Sequence, residues 1–123
     1  MARELIPAVL CRDEASTRER LEQLKGLVDW VQIDILDGTL YPHQSWAIAD
    51  TIHRWSQPFS FELHLMVRDP ETIIETWLPL PSFTRAIWHI EAPIDHMALI
   101  QKLRARNREV GLAIAPGTSF ETL

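Results

Sequence analysis

In the segment VQIDILDG, residues 31–38, Gln32 and Asp34 alternate with Ile33 and Ile35. Side chains point alternately to the two faces of a strand, so Gln32, Asp34 and Leu36 share one side. The segment FELHLMV, residues 61–67, repeats the arrangement, with Glu62, His64 and Met66 on one face and Leu63, Leu65 and Val67 on the other. In RAIWHIE, residues 85–91, Ile87, His89 and Glu91 oppose Ala86, Trp88 and Ile90. Carboxylates beside imidazoles can carry protons or hold a divalent cation. Each residue also has a plainer account: His64 as a hydrogen-bonded core histidine, Asp34 as a turn former before Asp37-Gly38. His89-Ile90-Glu91 matches half of the zinc-deaminase signature, but the Pro-Cys-x-x-Cys half is missing, which excludes that chemistry. The polar faces gain meaning only together, with Asp34 and His64 at the ends of adjacent strands.

The elements that position these residues alternate between strand and helix. Strands are expected at 4–10, 29–36, 60–67, 85–90 and 109–116. Helices are expected at 13–27, 47–55, 71–78 and 95–107, and 119–123 begins a fifth. Asp13 and Asp69 are cap residues, and Pro70 takes the first helical position. Successive β-α units imply parallel strands joined by right-handed crossovers, hence one α/β domain over residues 1–123. Two architectures follow: a partial (β/α)8 TIM barrel of about five strands, or a five-stranded open doubly wound sheet. Parallel strands covered on both faces read almost wholly apolar. Polar residues at similar heights on three neighbouring strands therefore ask for a site.

Composition narrows the partners. The chain has 123 residues, 46% hydrophobic and 24% charged, with a net charge of −5. That balance argues against nucleic acid and anionic membrane. The basic run KLRARNRE, 102–109, falls at the end of an expected helix, where cations complement the dipole and face solvent. No run has the ~18 apolar residues of a membrane span, and LIPAVLC, broken by Pro7 and followed by Arg12 and Asp13, makes a poor signal peptide. The lone Cys11 forms no internal disulfide, so a cytoplasmic protein is expected. No His or acid is placed beside Cys11 by a motif, and a structural role fits it better than a nucleophile's.

The stretches VDWVQIDILDG, FELHLMVRDPE, WHIEAP and VGLAIAPGTSFE resemble, in order and spacing, those of the ribulose-phosphate 3-epimerase family. The resemblance covers nearly the whole chain but only the first five units of that family's ribulose-phosphate-binding TIM barrel. It implies an isomerase of carbohydrate metabolism that interconverts D-ribulose 5-phosphate and D-xylulose 5-phosphate by metal-assisted proton transfer at C3. By the same resemblance Asp34 is the metal-bound catalytic base, and His64 is a metal ligand that also meets the substrate. Met66 lines the site, and the cation is divalent, of the zinc, iron, manganese or cobalt class. Three positions depart from the family pattern: Ala8 replaces a substrate-contacting Ser, Gln32 a ligating His, and Leu36 a Met. An amide oxygen is a weaker ligand than imidazole. The family's second acid/base Asp and its phosphate-binding loops belong to later strands.

Three functions are therefore expected to compete. The first is an epimerase-like protein whose missing half comes from a second copy or a partner that completes the barrel. The second is a truncated, inactive barrel fragment that acts as a binding module or has no activity alone. The third, a decarboxylase or aldolase relative, needs a D-x-K-x-x-D pattern on strand three that FELHLMVRD lacks. An open five-strand sheet exposes two strand edges, which favours homo-oligomers. Trp30, Trp46, Trp55, Trp77 and Trp88 are expected in helix–sheet packing, or else at such an interface.

Overall fold

The computed structural model describes residues 3–55 and 58–123. Its strands are β1 (Ala8–Val9), β2 (Trp30–Leu36), β3 (Ser60–Met66), β4 (Phe83–His89) and β5 (Glu109–Ala113). Its helices are α1 (Glu14–Leu24), α2 (Ala49–Arg54), α3 (Pro70–Trp77) and α4 (His96–Ala105), followed by a single 3-10 turn, Phe120–Thr122. All neighbouring strands pair in parallel, in the order β1-β2-β3-β4-β5. A doubly wound sheet reverses its order at a switch point. Here the order runs in one direction, the winding of consecutive barrel units.

Local chemistry explains most boundaries. The Asp13, Asp69 and Asp95 carboxylates accept hydrogen bonds from the amides of Ser16, Thr72 and Ala98, at 2.7, 3.3 and 3.1 Å, and so cap α1, α3 and α4. α1 stops at Leu24, short of the expected 27, because Gly26 turns the chain out with φ +79°. β1 shrinks from the expected 4–10 to Ala8–Val9. It has only β2 beside it, and Pro7 brings no N–H to a ladder. β5 ends at Ala113 rather than 116, and the expected fifth helix is a single turn.

The two sheet faces differ as the alternation requires. Val31, Ile33, Ile35, Leu63, Leu65, Val67, Ala86 and Trp88 are buried against the helices with Leu21, Ile52, Ile74, Trp77, Leu99 and Leu103. On the opposite face Gln32, Asp34, His64, Met66 and Ile87 are half-buried, whereas Glu62 and His89 are buried. Trp77 and Trp88 are core residues, and Trp88 Nε1 donates to His96 Nδ1 at 3.0 Å. Trp46 stacks on Trp55 with ring centroids 5.7 Å apart, and both pack against the core. Trp30 lies on the other face, beneath Arg85. Cys11 is a half-buried free thiol.

Candidate active site

Strand register brings Asp34 directly opposite His64, and Leu36 opposite Met66, at the C-terminal ends of β2 and β3. The rows on three strands are not level, as the sequence pattern suggested. The register slips between Phe61 and Glu62, so His64 faces Ile87 and His89 sits one inward-facing step further along β4. That step brings the two imidazoles edge to edge and nearly into one plane: their centroids are 5.1 Å apart at 17°, with Nε2 to Nε2 at 2.9 Å.

Asp34 is held by two neighbours. Gln32 Nε2 donates to Asp34 Oδ1 at 2.7 Å, and His64 Nδ1 lies 3.3 Å from the same oxygen. Behind His64 stands His89, whose Nδ1 lies 3.2 Å from the Tyr41 hydroxyl and 3.5 Å from Glu91 Oε2. Burial, reinforced by the nearby His64, lowers the His89 pKa below the ordinary imidazole value. Burial pushes the Glu91 carboxyl up, but hydrogen bonds from the Ala115 amide (2.5 Å) and Thr118 outweigh it and hold the group below its usual value. Burial and the Glu91 charge raise the Tyr41 phenol.

Tyr41 arrives from the loop between β2 and α2, which Ser45 fastens to the end of β2. Ser45 N donates to Leu36 O at 2.9 Å, and its hydroxyl accepts from Leu36 N and donates to Asp34 O. Gly38, at φ +84°, makes the tight turn that starts this loop. Asp34, Leu36, His64 and Met66 line a cavity of about 440 Å³, with Arg12 and His43 also on its wall. Ala8 is exposed and pairs with Gln32, one row below Asp34. Gln32, expected as a metal ligand, presents an amide N–H to Asp34. His89 lies on the inner face of β4 and Glu91 in the turn just past its end; the sequence pattern groups them on one face but assigns them no role. Tyr41 gave no sequence signal, because its place depends on how the loop closes.

The chain matches the model of the ribulose-phosphate 3-epimerase family over residues 4–123. It belongs to that family. The ribulose-phosphate 3-epimerase of Treponema pallidum (strain Nichols) is 29% identical over 122 residues, 97% of this chain and 55% of that protein. The cytoplasmic isoform from Oryza sativa subsp. japonica is 27% identical, over 98% of this chain and 54% of its own length. The Rhodobacter capsulatus epimerase is 25% identical, over 98% and 53%. The chain thus spans about half the length of the epimerases it matches.

Family membership raises the question of a cation. Asp34 Oδ1 and His64 Nδ1, 3.3 Å apart, have the separation of two ligands on one tetrahedral cation with bonds of ~2.0–2.1 Å. Further along the line, the buried Glu91 Oε2 has no hydrogen-bond partner among the described residues. The residues therefore fit one edge of a divalent-cation site. They do not close it, since among the described residues no three His, Cys, Asp or Glu side chains converge to hold a metal ion. No helix among those residues is long and apolar enough to cross a membrane.

Proposed function

We infer that the chain supplies the base-bearing half of a ribulose-phosphate 3-epimerase site, acting on a sugar phosphate with Asp34 as the catalytic carboxylate. The observation that carries this reading is the Asp34–His64 pair on the wall of the cavity. Asp34 takes the C3 proton, and the C–H electron pair moves toward the C2 carbonyl oxygen to give the enediolate. Gln32 Nε2 donates to Oδ1, which helps fix the carboxylate plane for transfer at Oδ2. Leu36 and Met66 form the apolar wall beside the substrate, and Ala8 extends the row below. A divalent cation of the zinc, iron, manganese or cobalt class, bound along the Asp34–His64 edge with Gln32 as a weak third ligand, would supply Lewis-acid stabilisation of the developing oxyanion.

Inversion at C3 needs a second proton carrier on the far face, and Asp34 serves one face only. The chain alone is accordingly an exchange catalyst. Asp34 returns a solvent-derived proton to the side it came from, and C3 keeps its configuration. Epimerisation follows when a second copy or a partner pairs with the free edges of β1 and β5 and contributes the second acid and the phosphate site. A cytoplasmic location suits this substrate. The test is NMR of ribulose 5-phosphate in D2O with the chain and Zn2+. Loss of the C3 proton signal without xylulose 5-phosphate supports the reading, and absence of exchange at any chain concentration overturns it. The competing reading, an inactive fragment, rests on the exposed Ala8 and the open cation shell, and any Asp34-dependent exchange refutes it.

A further inference from the structure

Among the described residues on the wall of the Asp34 cavity, Arg12 is the one guanidinium or ammonium. It is exposed, and among the described residues its side chain makes no ion pair and no hydrogen bond. Other arginines are held. Arg85 sits between Glu62 and Glu109, and Arg108 donates to the carbonyls of Leu78 and Leu80. Asp13, the acid next to Arg12, is occupied in capping α1 through the Ser16 amide. The backbone sets where Arg12 stands. Trp46 N donates to Cys11 O at 2.8 Å, which joins the loop after β1 to the loop after β2. The neighbouring Ser45 is fastened to the end of β2. Arg12, His43 and Gln44 line both the Asp34 cavity and a second cavity of about 420 Å³ that extends to Trp46. These three side chains therefore form the ridge between two hollows.

We propose that Arg12 binds the phosphate group of the sugar phosphate whose C3 meets Asp34, with His43 and Gln44 as neighbouring donors. In naming the substrate this rests on the reading of Asp34 as the base; the anion site itself does not. Two carbons and an ester oxygen separate C3 from phosphorus in a pentulose 5-phosphate, so base and phosphate site must share one cavity. At about 440 Å³ the cavity falls among small-molecule sites, which span ~300–1,000 Å³. The electrostatics ask for a fixed cation there. The chain carries a net charge of −5, and the cavity wall holds the Asp34 carboxylate. Both repel an entering phosphate unless a local positive charge offsets them. A guanidinium stays charged throughout the working pH range and meets two phosphate oxygens with parallel N–H donors. An arginine without an ion pair does this with no prior contact to break. This hold serves the exchange reaction of the chain alone, before a partner adds the phosphate site that epimerisation uses.

The test titrates the full 15N-labelled chain with ribulose 5-phosphate, without added metal, and follows the Arg12 Nε–H signal and the backbone amides. Saturable shifts are expected at Arg12 Nε–H and at residues 43–46. Arg12→Gln should weaken binding by about tenfold or more, the usual scale for a charge-assisted contact. Arg12→Lys, which keeps the charge and loses the fork, should recover part of that loss. Arg104→Gln on α4 removes the same charge elsewhere and should leave affinity unchanged. Ribulose without the phosphate should bind more weakly than its 5-phosphate and be indifferent to Arg12→Gln. In C3 exchange, Arg12→Gln should raise KM by the same factor with little change in kcat. The proposal is overturned by unchanged affinity in Arg12→Gln, by an equal loss in Arg104→Gln, by equal binding of ribulose and its 5-phosphate, or by no binding. Should Arg12→Gln fail to fold, Arg12→Lys and the Arg12 Nε–H shift decide. Arg12-dependent binding without C3 exchange would keep the anion site and reject the epimerase reading. Asp34-dependent exchange with unchanged affinity in Arg12→Gln would do the reverse.

Discussion

The same sheet face carries two polar clusters, one at each end, and they are built on opposite principles. At the N-terminal end, Arg85 lies 3.6 Å from Glu62 and 2.9 Å from Glu109, with its guanidinium 4.6 Å from the Trp30 ring centroid. One cation is shared by two carboxylates and capped by an aromatic face, and the buried Glu62 is paired. At the C-terminal end, Asp34 and Glu91 flank two imidazoles that meet edge to edge, Glu91 Oε2 has no hydrogen-bond partner among the described residues, and a cavity opens beside the row. Polar side chains on an inward-facing strand surface are thus not in themselves a site. Structural clusters satisfy their own charges, whereas a site holds acceptors for something still to arrive.

Substitutions should separate the two ends. The largest effect is expected from Asp34→Asn, which keeps the shape but removes the base. C3 exchange should fall by about a hundredfold or more while the urea midpoint barely moves. Next is Arg85→Leu, which strands Glu62, a side chain only 7% exposed. Breaking such a pair costs ~3–5 kcal/mol when both partners are buried. With Arg85 29% exposed, about 2 kcal/mol is expected in urea unfolding, and exchange per folded molecule should persist. Equal loss of exchange in both variants would erase the distinction between the ends.

Acid should act at the C-terminal end first. The folded His89 pKa lies below the ordinary imidazole value of 6.5, so the unfolded chain takes up its proton before the native state does. Stability is fully present above 6.5 and is lost as pH falls from there toward the folded value. Glu91, also lowered, adds a further loss below the usual carboxylate range. His89→Gln should flatten the upper part of this acid limb in urea midpoints measured across pH. The smallest change is expected from Glu109→Gln. Its side chain is 58% exposed, and such pairs contribute ~0–1 kcal/mol.

Much of this was legible in the sequence. Period-two alternation alone placed Gln32 with Asp34 and His64 with Met66, and consecutive β-α units implied their parallel pairing. What the pattern lacked was register and closure. Glu62 reads like His64 along the strand, yet Arg85 claims it at the far end, and that partner is visible only once β3 and β4 are aligned. The bulge near Phe61 advances β4 by one residue, which puts Ile87 opposite His64 and lets His89, one inward-facing step further, meet His64 edge to edge. Tyr41 reaches His89 across 48 positions because Gly38 and Ser45 fold the loop back.

The central claim is tested most directly by following the C3 proton of ribulose 5-phosphate in D2O, with the chain and with Asp34→Asn. The account predicts loss of that signal with the unsubstituted chain, retained configuration at C3, and no loss with Asp34→Asn. Exchange that proceeds equally in both chains would contradict it.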